Sequence, residues 1–151
     1  MALMSRLRTV LAPALLAGAL AVTAAGCAGQ SSSKSSADEY TGAKKDVAQV
    51  VDDLQSAAGK ADGKKVCNDL LAPALVQKVA TGGTTCKKAM EDLLKDVDTS
   101  DMTVKSVAVA GATATAVVES DGGSGGTDRT NTFTFAKDPG ANGAWKISSF
   151  G

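Results

Sequence analysis

Three features of this 151-residue chain predict an α+β fold, with helices first and strands last. Apolar residues recur at a spacing near 3.6 as far as Val97. Past Asp98 the spacing drops to about two and β-branched residues dominate. Turn-forming stretches then divide that second region into short runs that can only fold back on one another. The expected architecture is three N-terminal helices packed on one face of a curved, four-stranded antiparallel sheet.

The first helix is carried by Val47, Val50, Val51 and Leu54, with Ala58 extending the stripe. Asp38 and Glu39 precede it and Lys60 follows it, as the helix dipole prefers, and Tyr40 is placed to join its apolar face. Gly59–Gly63 is a turn. A second helix is expected over about 63–71, with Val66, Leu70 and Leu71 inward. Pro73 then opens a further helical turn to Ala80, carrying Leu75, Val76 and Val79. Thr81-Gly82-Gly83 stops it. The third helix spans about 84–97, with Cys86, Met90, Leu93, Leu94 and Val97 on one face.

The strands are expected at 102–110, 112–120, 130–136 and 144–150. Gly111 joins the first two as a hairpin. Val104 and Val107 differ in parity, so a bulge is expected at Lys105-Ser106. Gly122–Gly126 lies in a flexible connection; it lacks the Lys and Ser/Thr of a phosphate loop. Phe133 and Phe135 share a face, as do Trp145 and Ile147.

Composition narrows the function. Sixteen basic residues balance sixteen acidic ones, which excludes the basic excess of a nucleic-acid binder. There is no His, so Ser–His and Cys–His dyads and the commonest metal ligand are missing. Neither a metal nor a cofactor is expected. Lys44-Lys45, Lys64-Lys65 and Lys87-Lys88 offer charge to anionic lipid heads, but nearby acids favour an ordinary solvated surface.

The N-terminus reads as an address. Arg6 and Arg8 precede an uncharged run, Val10 to Ala25, which ends at Gly26-Cys27. The run is short for a membrane span of about 20 residues, and Pro13 and Gly18 interrupt it. Ala24-Ala25-Gly26-Cys27 resembles the bacterial lipobox, with Ala24 where Leu is usual. The resemblance implies cleavage between Gly26 and Cys27, a diacylglyceryl group on the Cys27 thiol, and residence on the outer face of the cell membrane. Removing 1–26 would leave two more acids than bases. Residues 28–37 (AGQSSSKSSA) have no large apolar side chain and read as a tether reaching on the order of 15–20 Å. The expected organisation is a signal peptide at 1–26, a lipidated Cys and tether at 27–37, and one domain at 38–151.

With Cys27 assigned to lipid, Cys67 and Cys86 remain as an even pair outside the cytoplasm. A structural disulfide is expected. A redox pair would usually read Cys-x-x-Cys, and a zinc site has no His to complete it.

Residues 38–151 resemble the nuclear-transport-factor-2 and ketosteroid-isomerase superfamily, a cystatin-like cone. The likeness is to lipid-anchored members from high-G+C Gram-positive bacteria. It rests on Gly59-Lys60-Ala61-Asp62-Gly63-Lys64-Lys65-Val66-Cys67, Leu71-Ala72-Pro73, Thr85-Cys86, Val104-Lys105-Ser106-Val107, Gly111-Ala112-Thr113-Ala114 and Gly143-Ala144-Trp145-Lys146-Ile147. The resemblance implies a conical apolar cavity, lined or filled by Phe133, Phe135, Trp145 and Ile147. It also implies a homodimer, because folds of this shape often pair through the sheet face. Enzymes of the superfamily place Asp, His or Tyr inside the cone. Here only Asp52 and Asp53 sit beside the first helix's stripe, and they are the residues an isomerase or hydratase would use. The leading expectation is a membrane-anchored, non-catalytic module for a protein partner or a small apolar ligand. A purely structural surface lipoprotein is the other alternative.

Overall fold

The computed structural model describes residues 35–96, 101–121 and 127–151. The expected signal peptide, Cys27 and most of the tether lie outside these residues, as do Val97 and the Gly122–Gly126 loop. Among the described residues no helix is long and apolar enough to cross a membrane.

The fold is α+β. Helix α1 spans Ala43–Ala58, α2 Gly63–Lys65, α3 Pro73–Val79 and α4 Cys86–Asp96. The strands are β1 Met102–Ala110, β2 Thr113–Ser120, β3 Arg129–Asp138 and β4 Ala144–Phe150. They form one antiparallel meander in the order β1-β2-β3-β4. The bulge expected in β1 is present between Val104 and Ser106.

The helical half differs from the expected three helices. The second does not run unbroken to Leu71: after α2 the chain forms a π-helical turn, Val66–Leu70, and then extends at Leu71 and Ala72. Pro73 disfavours helical geometry in the residue before it. The extended pair is then taken up by the sheet, with Leu71 bridged to Ile147 and the Ala72 N–H donating to the Ile147 carbonyl at 2.8 Å. Pro73 therefore begins a separate helix, giving four.

One core lies between the helices and the inner face of the sheet. Val47, Val51 and Leu54 of α1 meet Val104, Val107, Ala116, Val118, Phe135 and Ile147. Chains of this size can enclose one such core, and aliphatic residues pack it around Phe133, Phe135 and Trp145. Gly63 lets α2 approach α4: a Cβ there would lie 2.5 Å from the Lys87 carbonyl oxygen. Cys67 and Cys86 are joined, with their Cα atoms 6.1 Å apart, and tie the π-turn to the start of α4. Both are buried. The outer face of the sheet is Thr-, Ser- and Ala-rich, with Ala108, Thr115 and Thr134 in line across β1, β2 and β3.

The fold begins earlier than position 38. Ser36–Glu39 is a 3-10 turn in which Ser36 and Ala37 are buried, although composition assigned both to the tether. Composition reads Ser and Ala as solvent-seeking or neutral; it cannot register a partner 16 residues downstream.

Candidate functional site

That partner is Asp52. Its carboxylate accepts from the Ser35 hydroxyl at 2.7 Å, the Ser36 N–H at 3.1 Å and the Ala37 N–H at 3.0 Å. Ser36 Oγ in turn accepts from the Val104 N–H at 3.1 Å, and the Tyr40 hydroxyl donates to the Val104 carbonyl at 3.3 Å. Residues 35–40 thus form a strap from α1 to the outer edge of β1. Gly42, at φ +58°, turns the chain from the strap into α1. Burial and the neighbouring Glu39 charge raise the Tyr40 pKa. Asp53 is a surface acceptor for the Gln49 side-chain amide at 3.3 Å. The acid sites of an isomerase reading are therefore a strap anchor and a helix-surface residue.

The four residues expected to line or fill a cavity are all buried, and Phe135 and Ile147 are completely enclosed. They belong to the packed core. Trp145 is capped on one side by the Lys137 ammonium, 5.2 Å from the ring centre. Phe133 differs from the others because it reaches an exposed neighbour. Phe150 meets it edge-on, with ring centres 5.2 Å apart.

Simple alternation puts Phe150 with Ala144 and Lys146 on the outer face. A register shift intervenes: Thr134 pairs with Ser149 but Phe135 with Ile147, leaving Ser148 as an extra residue. Phe150 is thereby turned to the side of Phe133, yet remains 45% exposed. Leu93 is a second large apolar residue out of place. It shares the stripe of Cys86 and Met90, which are buried, but it is 56% exposed, contrary to the inward position its spacing predicts. The stripe outruns its cover, since periodicity fixes a side chain's face and not what lies opposite. Helix α3 is similarly half-covered: Leu75, Val76 and Val79 pack against the core but none is fully buried. Leu93 and Phe150 are the large apolar side chains left exposed among the described residues.

Several charges elsewhere are paired at the surface. Lys45 meets Asp38, Lys65 meets Asp69 and Lys87 meets Glu91, each at 3.6 Å. Lys88 and Lys95 both hold Asp92, at 3.0 and 3.3 Å, and their hydrogen bonds lower its pKa. Each of the three dilysine pairs thus has at least one member in an ion pair. Carboxylates of Glu119, Asp121 and Asp128 gather at the base of the β2–β3 connection. Lys105 answers them by binding Glu119 at 2.7 Å, which raises the Lys105 pKa.

The least expected polar contact is made by Lys146. It is only 8% exposed, and its ammonium donates to the Asn68 carbonyl at 3.0 Å and to the Asp69 carbonyl. It satisfies carbonyls at the end of the π-turn, where a cation is favoured.

No family model matches the chain, and a search of curated proteins finds no match either.

Proposed function

We propose that this chain is a membrane-tethered, extracytoplasmic lipoprotein. Its α+β domain, of the nuclear-transport-factor-2-like kind, is a non-catalytic binding module. It takes a protein partner or a small apolar ligand. The observation that carries the binding role is the exposure of Leu93 and Phe150 on faces that are otherwise buried. The Arg6/Arg8 start, the uncharged run and Gly26-Cys27 support the anchor. Two or more acyl chains hold a protein stably where one does not. The non-catalytic reading is supported by Asp52, whose oxygens are engaged by the strap.

Native mass spectrometry of the full chain, extracted from its host in detergent without reduction, tests both parts. The expected result is a mature chain beginning at Cys27 and carrying diacylglyceryl, together with a retained apolar adduct or protein. Leu93→Lys should strip that adduct and leave the lipid. A chain that is cut elsewhere and unlipidated defeats the anchor. An adduct-free chain that captures no membrane partner defeats the binding role.

A further inference from the structure

The two edges of the sheet are covered by different means. At β4 the Leu71-Ala72 segment lies alongside Ile147. At β1, among the described residues, hydrogen bonds from outside the sheet reach only Val104, from the Ser36 and Tyr40 side chains. Beyond the bulge, Ser106-Val107-Ala108-Val109-Ala110 has no backbone hydrogen bond outside the β1–β2 ladder among the described residues. This run carries no charge, Pro or Gly. The usual guards of an edge strand are charges, bulges and covering segments. Among the described residues, all of them stop at Lys105.

The direction of the free groups follows from alternation. Ala110 opposes Thr113 across the Gly111-Ala112 turn, so Ala110 and Ala108 direct their N–H and C=O toward β2. Val107 and Val109, whose side chains face inward, direct theirs outward, as Val104 does to the strap. The open stretch is bounded by the strap and bulge on one side and by Gly111 on the other, and its centre is Ala108.

We propose that this edge pairs with the same edge of a second copy, antiparallel about a two-fold axis at Ala108. Val107 of each copy then lies opposite Val109 of the other, and about four backbone hydrogen bonds close the joint. The run suits self-pairing for a specific reason. A two-fold axis sets like charges close together, and here there are none to repel. The exposed Ala108 and Ala110 side chains leave the outer face clear, and half-buried Val109 gains an apolar neighbour. The joined sheets make one eight-stranded sheet, with the strap fixing where pairing ends. A joint this short buries less than the roughly 1,200–2,000 Å² of a permanent interface, so it forms reversibly with concentration.

The axis gives a sharp test in the full chain. Residues facing each other at a non-hydrogen-bonded antiparallel pair lie about 4.5 Å apart at Cα, within disulfide reach. Under mild oxidation with diamide, Ala108→Cys should yield several-fold more disulfide-linked dimer than the parent chain. Thr115→Cys, next to it on the same exposed face, should stay at the parent's level. Ala108→Lys should reduce the dimer fraction in sedimentation velocity without changing circular dichroism or melting. Three results would overturn the proposal: no excess linkage at 108, equal linkage at 108 and 115, or a dimer fraction indifferent to Ala108→Lys. Linkage at 115 and not at 108 would place the contact on the sheet face instead.

Discussion

At the β4 edge the chain supplies backbone. Leu71 and Ala72 run alongside Ile147, Lys146 reaches across to the π-turn carbonyls, and the Cys67–Cys86 bridge fastens that turn to α4. At the β1 edge it supplies side chains. Ser36 and Tyr40 satisfy one residue, Val104, and Asp52 holds the strap from behind. A cover braced by the disulfide should open only with the core, whereas the short strap, held by side-chain hydrogen bonds and the single core residue Ala37, should open at lower cost. The two edges of one sheet are thus guarded at one residue each by different means, paired backbone at Ile147 and side-chain hydrogen bonds at Val104.

The contrast is most strongly broken from the β4 side. Replacing Cys67 and Cys86 by Ala releases a loop of 19 residue steps and should lower global stability by about 3 kcal/mol, read from denaturant midpoints. Opening the strap should be smaller and local. Asp52→Ala removes the acceptor of three hydrogen bonds and is expected to cost about 1–2 kcal/mol. Hydrogen exchange at Ser36, Ala37 and Val104 should accelerate while Ile147 and Phe135 keep their protection. Equal acceleration everywhere would mean that the strap is part of the cooperative core.

Lys146→Met keeps the apolar stem but removes the donor to Asn68 and Asp69. Water can reach those exposed residues, so the loss should be about 1 kcal/mol, with faster exchange at Ala72. The smallest effect is at Tyr40. Its pKa is raised, so the folded state holds the phenol proton more tightly than the unfolded chain does. That stabilising contribution is complete below pH about 10 and fades as pH rises through the folded-state value. Alkaline melts of Tyr40→Phe should lack this part of the parent's decline.

Much of this arrangement can be read from particular residues. Val104 and Val107 reveal the bulge by parity, and the alternating runs give strand limits within a few positions of those observed. Cys67 and Cys86 reveal their bridge because they are an even pair once Cys27 is set aside. The strap is not legible, because Ser35 and Ser36 look like tether until Asp52 is brought beside them. The exposure of Leu93 and Phe150 is legible only in part. Leu93 advertises a face but not the absence of a cover, and Phe150 changes sides through a bulge that no local pattern announces.

The sequence alone determined the α+β order, the four strands, the antiparallel hairpins and the cysteine pair. These depend on periodicity, turn chemistry and counting, which act between near neighbours or through composition. Packing of the distant parts of the chain settled that Asp52 anchors a strap, that Lys146 caps a turn, and that backbone covers Ile147 at one sheet edge while side chains cover Val104 at the other. Those outcomes depend on which distant groups come within hydrogen-bond reach after packing, and nothing in the chain's local pattern encodes that distance.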